Sequence, residues 1–310
     1  MSLIADFSSK SIQRVREFFG RPKPKIGLAL GGGGARGLAH IGVLRVLERE
    51  GISFEVIGGT SMGAIVGGSY AQRPEVATLL SNLERYFTDH EEDETLIKKK
   101  VGEYSGNRLS RFTSSLSYYN FLLRNPDTSS VLDGDILYRL VNALVTEGPI
   151  QETSIRFAAV AVDILSGAVA ILDRGPIREA VSGSSSLPGV FPPIEWQDGL
   201  LVDGGVSHVV PVPQVNVLGA DKVIAVDVSR DIQSITPPRR GVDLLYRLHS
   251  VTKYHLKQQD LSRADYVIRP QVQDFEWFEF SEYETIIERG VSAAERAMPD
   301  LTRTLKASSN

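Results

Sequence analysis

One stretch constrains this chain more than any other: Gly58-Gly59-Thr60-Ser61-Met62-Gly63. It follows the apolar residues Phe54, Val56 and Ile57 and precedes Ala64-Ile65-Val66-Gly67-Gly68, so the pattern predicts a strand entering a serine and a small-residue helix leaving it. In Gly59-x-Ser61-x-Gly63 the serine then sits on a tight, strained strand-to-helix turn. Glycines two residues to either side remove the Cβ atoms that would strike the strand and an approaching substrate. A hydroxyl in this position projects at a helix N-terminus, where unpaired N–H groups and the helix dipole favour an anion such as a tetrahedral oxyanion. An ordinary glycine-rich junction between a strand and a helix is the alternative.

A second glycine run has the same setting. Lys25 to Leu30 reads as a buried strand, followed by Gly31-Gly32-Gly33-Gly34-Ala35-Arg36-Gly37 and a helix with Ile41, Val43, Leu44 and Leu47 inward. Consecutive glycines at a helix N-terminus present several backbone N–H groups to whatever lies above the strand. Two chemistries use that arrangement, an oxyanion hole for acyl transfer and a cradle for pyrophosphate. Gly32-x-Gly34-x-x-Gly37 matches the dinucleotide fingerprint, but that fingerprint also expects an acidic residue at the end of the next strand. Here Glu55 stands at the start of that strand and the candidate nucleophile at its end. No Gly-Lys-Ser/Thr is present, which excludes a Walker-type loop.

Composition narrows the classes further. The chain has 310 residues and a net charge of −4, with no cysteine. Nothing basic calls for nucleic acid, and disulfides, thiolate metal sites and a cysteine nucleophile are excluded. No apolar run reaches the roughly 18 residues of a membrane span. The N-terminus lacks the basic-then-apolar order of a signal peptide, so the expected location is the cytoplasm. Residues 1–24 form a basic amphipathic segment, with Ile12, Val15, Phe18 and Phe19 on one face of a short helix and Arg14, Arg16, Arg21 and Lys23 around it. Either packing against its own domain or peripheral contact with an anionic membrane suits such a segment.

Along the rest of the chain, strands and helices alternate. Thr88 to Lys100, acidic first and basic last, reads as one solvated helix. Gly106 to Ser130 mixes arginines with Tyr118, Tyr119, Phe121, Leu122 and Leu123, the pattern of a cover over an acyl pocket or of an inserted core helix. Asp133 to Glu147 predicts a helix, and Ile155 to Leu165 with Ala168 to Leu172 a hairpin about Ser166-Gly167. Pro176 opens a helix that runs to Ser184-Ser185-Ser186, and Leu187 to Pro193 follows as a candidate pocket wall. Leu200 to Val202, Lys222 to Val228 and Asp265 to Ile268 read as strands, with a helix from Val242 to about Gln259 and a final helix through Ile286, Ile287, Val291, Ala294 and Ala297. The sum is a mostly parallel α/β sheet with helices on both faces.

A serine nucleophile needs a base. Asp203 ends a short strand and is followed by Gly204 and Gly205, a bare neighbourhood in which another group can approach the carboxylate. The order Ser61, Asp203, His208 superficially satisfies an α/β-hydrolase triad. Only about two strands precede Ser61, however, and His208 lies in the same local segment as Asp203, so His208 is expected to be structural. Gly31 to Gly37, Gly59 to Gly63, Ser184 to Pro193 and Asp203-Gly204-Gly205 together resemble, in order and at similar spacing, the four motifs of the patatin-like phospholipases. The resemblance covers about residues 25–270, and residues 25–310 are expected to form one catalytic domain.

This resemblance implies a three-layer α/β/α fold and hydrolysis of lipid acyl esters by a Ser-Asp dyad without histidine. By position, Ser61 is the nucleophile and Asp203 its partner. Backbone N–H groups around Gly32, Gly33 and Gly34 supply the oxyanion hole, supported by Arg36, while Gly59, Gly63, Gly204 and Gly205 shape the elbow and the dyad. The expected partner is a lipid or fatty-acyl ester; no metal or organic cofactor is required. Acyl transfer to an acceptor other than water, and a module that binds lipid or nucleotide without turnover, are the alternatives.

Overall fold

The structure, a computed structural model, describes residues 24–104, 127–232, 234, 237, 238 and 241–306. The expected N-terminal helix and the Tyr118 to Leu123 cluster lie outside the described residues.

Strand β1 (Ile26–Leu30) is buried along nearly its whole length, as a strand covered on both faces of a parallel sheet must be. It pairs in parallel with β2 (Val56–Thr60) and with β7 (Lys222–Val226). Beyond these lie β3 (Arg156–Asp163), parallel to β2, and β8 (Tyr266–Ile268), parallel to β7. The remaining strands, β4 (Val169–Leu172), β5 (Ile194–Trp196) and β6 (Gly199–Asp203), join at the β3 end and are antiparallel to their neighbours. The sheet is therefore mostly parallel, as read from the sequence, with an antiparallel corner. Strand β5 was not anticipated, because the prolines before it mask a run of only three residues.

Helices cover both faces. One face carries α1 (Ala39–Arg49), α2 (Met62–Gln72), α3 (Val76–Asp89), α5 (Asp135–Leu144), α6 (Ile177–Ser185) and α9 (Tyr283–Lys306), packed around Leu28, Leu30, Ile57 and Phe157. The opposite face is thinner and is built on Val209, Val210, α7 (Val212–Val217) and Leu261 at the end of α8 (Gly241–Leu261). The closest helix contact uses glycine. A Cβ on Gly42 of α1 would stand 2.0 Å from the Ile287 carbonyl of α9, and one on Gly290 of α9 would stand 2.1 Å from the Ala39 carbonyl. Reciprocal glycines let the two backbones touch.

The acidic-then-basic run is not one helix from Thr88. It divides at His90, whose φ of −137° and ψ of 45° leave the helical region after α3, and α4 (Glu91–Tyr104) starts afresh. The His90 ring stacks on Tyr86 at 5.0 Å and closes the first helix instead of extending it.

Candidate active site

Ser61 stands between β2 and α2 with φ 57° and ψ −127°, a conformation that costs a non-glycine residue on the order of 1–3 kcal/mol. Its surroundings enforce it. A Cβ on Gly59 would lie 2.3 Å from the Gly63 carbonyl, and one on Gly63 would lie 2.1 Å from the Leu30 carbonyl of β1. The Ser61 N–H donates to both the carbonyl (3.2 Å) and the hydroxyl (3.1 Å) of Ser184, at the end of α6. The Ser184 hydroxyl in turn donates to the Val160 carbonyl at 2.6 Å, tying the elbow to β3.

Strand β3 is the ruler that brings Asp203 to this elbow. Ala159 pairs with Gly59 of β2 and with Leu172 of β4, so β2 and β4 flank β3 on opposite sides. Ala161 pairs with Ala170 of β4 and with Asp203 of β6, so β6 lies on the β2 side. β2 ends where Thr60 meets Val160, and β6 ends where Asp203 meets Ala161, one residue further along β3. Because β6 runs antiparallel to β3 and β2 runs parallel, the two strands approach head to head and their last residues adjoin. Gly204 must lack a Cβ at this junction, since one would stand 2.2 Å from the Val160 carbonyl.

The Asp203 side chain is buried and accepts from the Gly205 N–H at 2.7 Å, and the neighbouring Ser61 hydroxyl favours its charged form. Burial pushes its pKa above the usual carboxylate range. The Lys253 ammonium, the Ser61 hydroxyl and the Gly205 N–H oppose that rise. Lys253, from α8, is half-buried; its Nζ would lie 3.6 Å from a Cβ on Gly205. Desolvation pushes the Lys253 pKa down while Asp203 holds it up.

The glycine loop passes over the same point. Gly31 N–H donates to Val226 (3.1 Å) and Gly32 N–H to Val209 (2.8 Å), so Gly32 lies against Ser61 but its amide is already engaged by another carbonyl. The amides of Gly33 and Gly34, at the start of the 3-10 turn Gly34–Leu38, have no acceptor among the described residues. Of the three glycines expected to supply donors, Gly33 and Gly34 are thus the two whose amides are not already engaged among the described residues. Arg36 donates to the Phe275 carbonyl at 3.1 Å and so anchors the turn from below. His40 is wholly buried with Nε2 2.7 Å from the Gly31 carbonyl, and burial lowers its pKa to about 4, so the ring is neutral and donates through Nε2. His208 points elsewhere: its Nδ1 lies 2.9 Å from Asp260 of α8, and its backbone carbonyl accepts from the Thr60 hydroxyl.

Ser61, Asp203, Gly33 and Gly34 open into a cavity of about 1690 Å³, larger than the roughly 300–1,000 Å³ of most small-molecule sites. Its lining includes the apolar Ile65, Leu137, Leu140, Leu187, Phe191 and Trp277, and also Arg36, Arg247, His249 and Lys253. The expected wall from Ser184 to Pro193 does line the cavity, through Ser185, Leu187, Val190 and Phe191. Among the described residues no group of three His, Asp or Glu side chains is arranged for a metal ion, and no helix is long and apolar enough to cross a membrane. Sequence reasoning missed Lys253, Ser184 as a support of the elbow, and His40 under the glycine loop. For His40 a signal existed, a histidine in the first turn after a glycine run; for Lys253 there was none.

The patatin-like phospholipase family model matches residues 28–215. The chain belongs to this family. A patatin-like phospholipase domain-containing protein of Caenorhabditis elegans is 29% identical over 89% of this chain and 21% of that protein. A lysophospholipase NTE1 of Mycosarcoma maydis is 29% identical over 87% of this chain and 14% of its own length. An uncharacterized NTE family protein of Mycobacterium bovis is 32% identical over 68% of this chain and 51% of its own. The chain thus spans about half or less of each of these relatives. Among solved structures, VipD from Legionella pneumophila is similar over 91% of this chain and 68% of that one, at 15% identity and a TM-score of 0.44. The family match ends before α8, so Lys253 lies outside the part of the chain that defines this patatin-like protein's membership.

Proposed function

We propose that this patatin-like protein is a serine acyl hydrolase that cleaves carboxylic esters of lipids through a Ser61-Asp203 dyad. One observation carries the reading: a strained serine and a buried carboxylate, at the ends of two strands that meet head to head, line one largely apolar cavity beside two amides without an acceptor among the described residues. The relatives named lysophospholipase support the substrate class.

In this mechanism the Ser61 oxygen attacks the ester carbonyl carbon as its proton passes to Asp203. Desolvation makes the carboxylate a stronger base than an exposed aspartate, and the charge leaving Ser61 moves to the substrate oxygen. The Gly33 and Gly34 N–H groups receive that oxyanion, and Arg36 fixes the turn that aims them. Collapse expels the alcohol oxygen, which takes the proton from Asp203, and leaves an acyl group on Ser61. Water then attacks the acyl carbon with Asp203 again accepting the proton, and the fatty acid departs with Ser61 restored. Throughout, apolar side chains of the lining such as Leu137, Leu140 and Phe191 hold the acyl chain and exclude water from it.

Turnover of a p-nitrophenyl ester and of a lysophospholipid tests the reading. Ser61→Ala and Asp203→Asn are each expected to reduce kcat by about 10⁴ or more, and His208→Ala to keep most of the activity. Retained turnover in Asp203→Asn with loss in His208→Ala would replace the dyad by a triad.

A further inference from the structure

The oxyanion turn is also touched by a stretch of chain outside the residues that define the family. Phe275-Glu276-Trp277-Phe278-Glu279-Phe280 lies between β8 and α9, well beyond residue 215 where the family match ends. Four aromatics in one connection are more than a solvated loop calls for. The segment is clamped in place. Arg230 donates to the carbonyls of Gln273 (2.8 Å) and Phe275 (2.8 Å) and to the Glu276 carboxylate (3.0 Å). Arg289 donates to the Gln271 carbonyl at 2.7 Å and lies over the Phe275 ring at 4.5 Å.

Within this segment Trp277 makes two kinds of contact. Its backbone carbonyl accepts the Ala35 N–H at 2.7 Å, the amide next in sequence to those of Gly33 and Gly34. The fit there is tight: Gly34 has a φ of 59°, and a Cβ on it would stand 2.3 Å from the Trp277 carbonyl oxygen and 3.0 Å from the Trp277 Cβ. The indole packs against a small apolar cluster, formed by Ile97 of α4, Leu132, Ile136 of α5 and Val190, which is distinct from the core built on Leu28 and Phe157. Ile97, Ile136, Val190 and Trp277 all line the cavity that contains Ser61. A single residue thereby joins the apolar lining to the turn that carries the oxyanion donors.

We infer that Trp277 is a specificity-determining residue that makes turnover depend on the length of the acyl group. A chain long enough to fill the cluster immobilises the indole, the indole holds its own carbonyl, and the carbonyl holds the oxyanion turn. The inference rests on the hydrolase reading above and goes beyond it, since it assigns chain-length selection to a residue outside the family match. Contacts made far from the reacting bond speed the chemistry only when they are coupled to groups that act in the transition state. The bond from Ala35 to Trp277 supplies that coupling, one residue from the Gly34 amide. An acetyl group has one methyl carbon beyond its carbonyl and leaves the cluster empty, so its turnover relies on the turn alone.

The test is the ratio of kcat for p-nitrophenyl decanoate to kcat for the acetate, both measured on one preparation so that any inactive fraction cancels. The wild type is expected to favour decanoate, and the ratio to fall about tenfold in Trp277→Ala, with Trp277→Phe keeping most of it. Phe278 meets the Trp277 ring edge-on at 5.4 Å from outside the cavity lining, so Phe278→Ala is the control and is expected to hold the ratio within about twofold. A ratio unchanged in Trp277→Ala, a loss confined to KM, or an equal fall in Phe278→Ala overturns the coupling. A second readout needs no turnover. In Trp196→Phe, which leaves Trp277 as the single tryptophan, decanoate is expected to shift the emission to shorter wavelength and acetate to leave it in place. No shift at a decanoate concentration that blocks fluorophosphonate labelling of Ser61 overturns the contact between chain and indole. A wild-type chain that hydrolyses neither ester and leaves Ser61 unlabelled removes the hydrolase reading and this inference with it, whereas normal turnover with no preference for decanoate removes the inference alone.

Discussion

The two halves of the proposed dyad are held in different ways. Ser61 belongs to the parallel part of the sheet, where close backbone approach leaves no room for side chains: Gly59, Gly63 and Gly37 each sit where a Cβ would strike the elbow or the strand beside it. Asp203 belongs to the antiparallel corner, where a Cβ on Gly204 would meet backbone but one on Gly205 would meet side chains, and where the Lys253 ammonium is the chief charge acting on the carboxylate. The serine is fixed by sterics, whereas the carboxylate is tuned by electrostatics. Substitutions on the first side should therefore cost stability, and those on the second should change pH dependence and rate.

The largest effect is expected at Gly63. Its Cβ would meet the backbone of β1, which cannot yield as a side chain can, so Gly63→Ala should lose at least about 3 kcal/mol in urea unfolding. Gly205 provides the contrast. A Cβ there meets the Asp203 carboxylate at 2.9 Å, a movable group, so Gly205→Ala should leave most of the stability and instead slow ester turnover by about tenfold. Equal stability losses in the two variants would erase the distinction.

His40 tests the steric side through pH. Its folded pKa of about 4 lies below the unfolded value of 6.5, so the unfolded chain takes up the proton first. The stability associated with the neutral ring is present above pH 6.5 and is lost as pH falls toward 4. Between about pH 7.5 and about pH 5 this is worth about 2 kcal/mol. In His40→Gln that share of the pH dependence should be absent, as urea midpoints across the range would reveal.

Lys253 tests the electrostatic side and should give the smallest effect. In the proposed mechanism Asp203 must be ionised to accept the proton, so activity is expected to fall as pH drops through its raised pKa. Lys253→Met removes a cation that favours the carboxylate, so the acid limb of kcat/KM should move to higher pH. A limb that stays in place would mean that Lys253 does not act on Asp203.

The same contrast explains what could be read from the sequence. Gly31 to Gly37, Gly59 to Gly63 and Gly204-Gly205 were legible because close backbone approach requires glycine, and glycine runs after apolar strands are visible without coordinates. The parallel strands were legible for a related reason, since burial on both faces leaves apolar runs such as Leu28 to Leu30. What escaped was whatever depends on register. Nothing local announces that β6 ends one residue past β2 along β3, nor that a lysine on an amphipathic helix faces the site. The engagement of the Gly32 amide by Val209 was hidden for the same reason: the partner comes from the other end of the family match, and only folding brings it near.

The most direct test of the head-to-head meeting of β2 and β6 is the rate of fluorophosphonate labelling, with the modified peptide identified by mass spectrometry. The account predicts a single adduct on Ser61 in the wild type and in His208→Ala, formed at least about 100-fold more slowly in Asp203→Asn. An adduct on Ser184 or Ser185, or an undiminished rate at Ser61 when Asp203 is replaced, would contradict it.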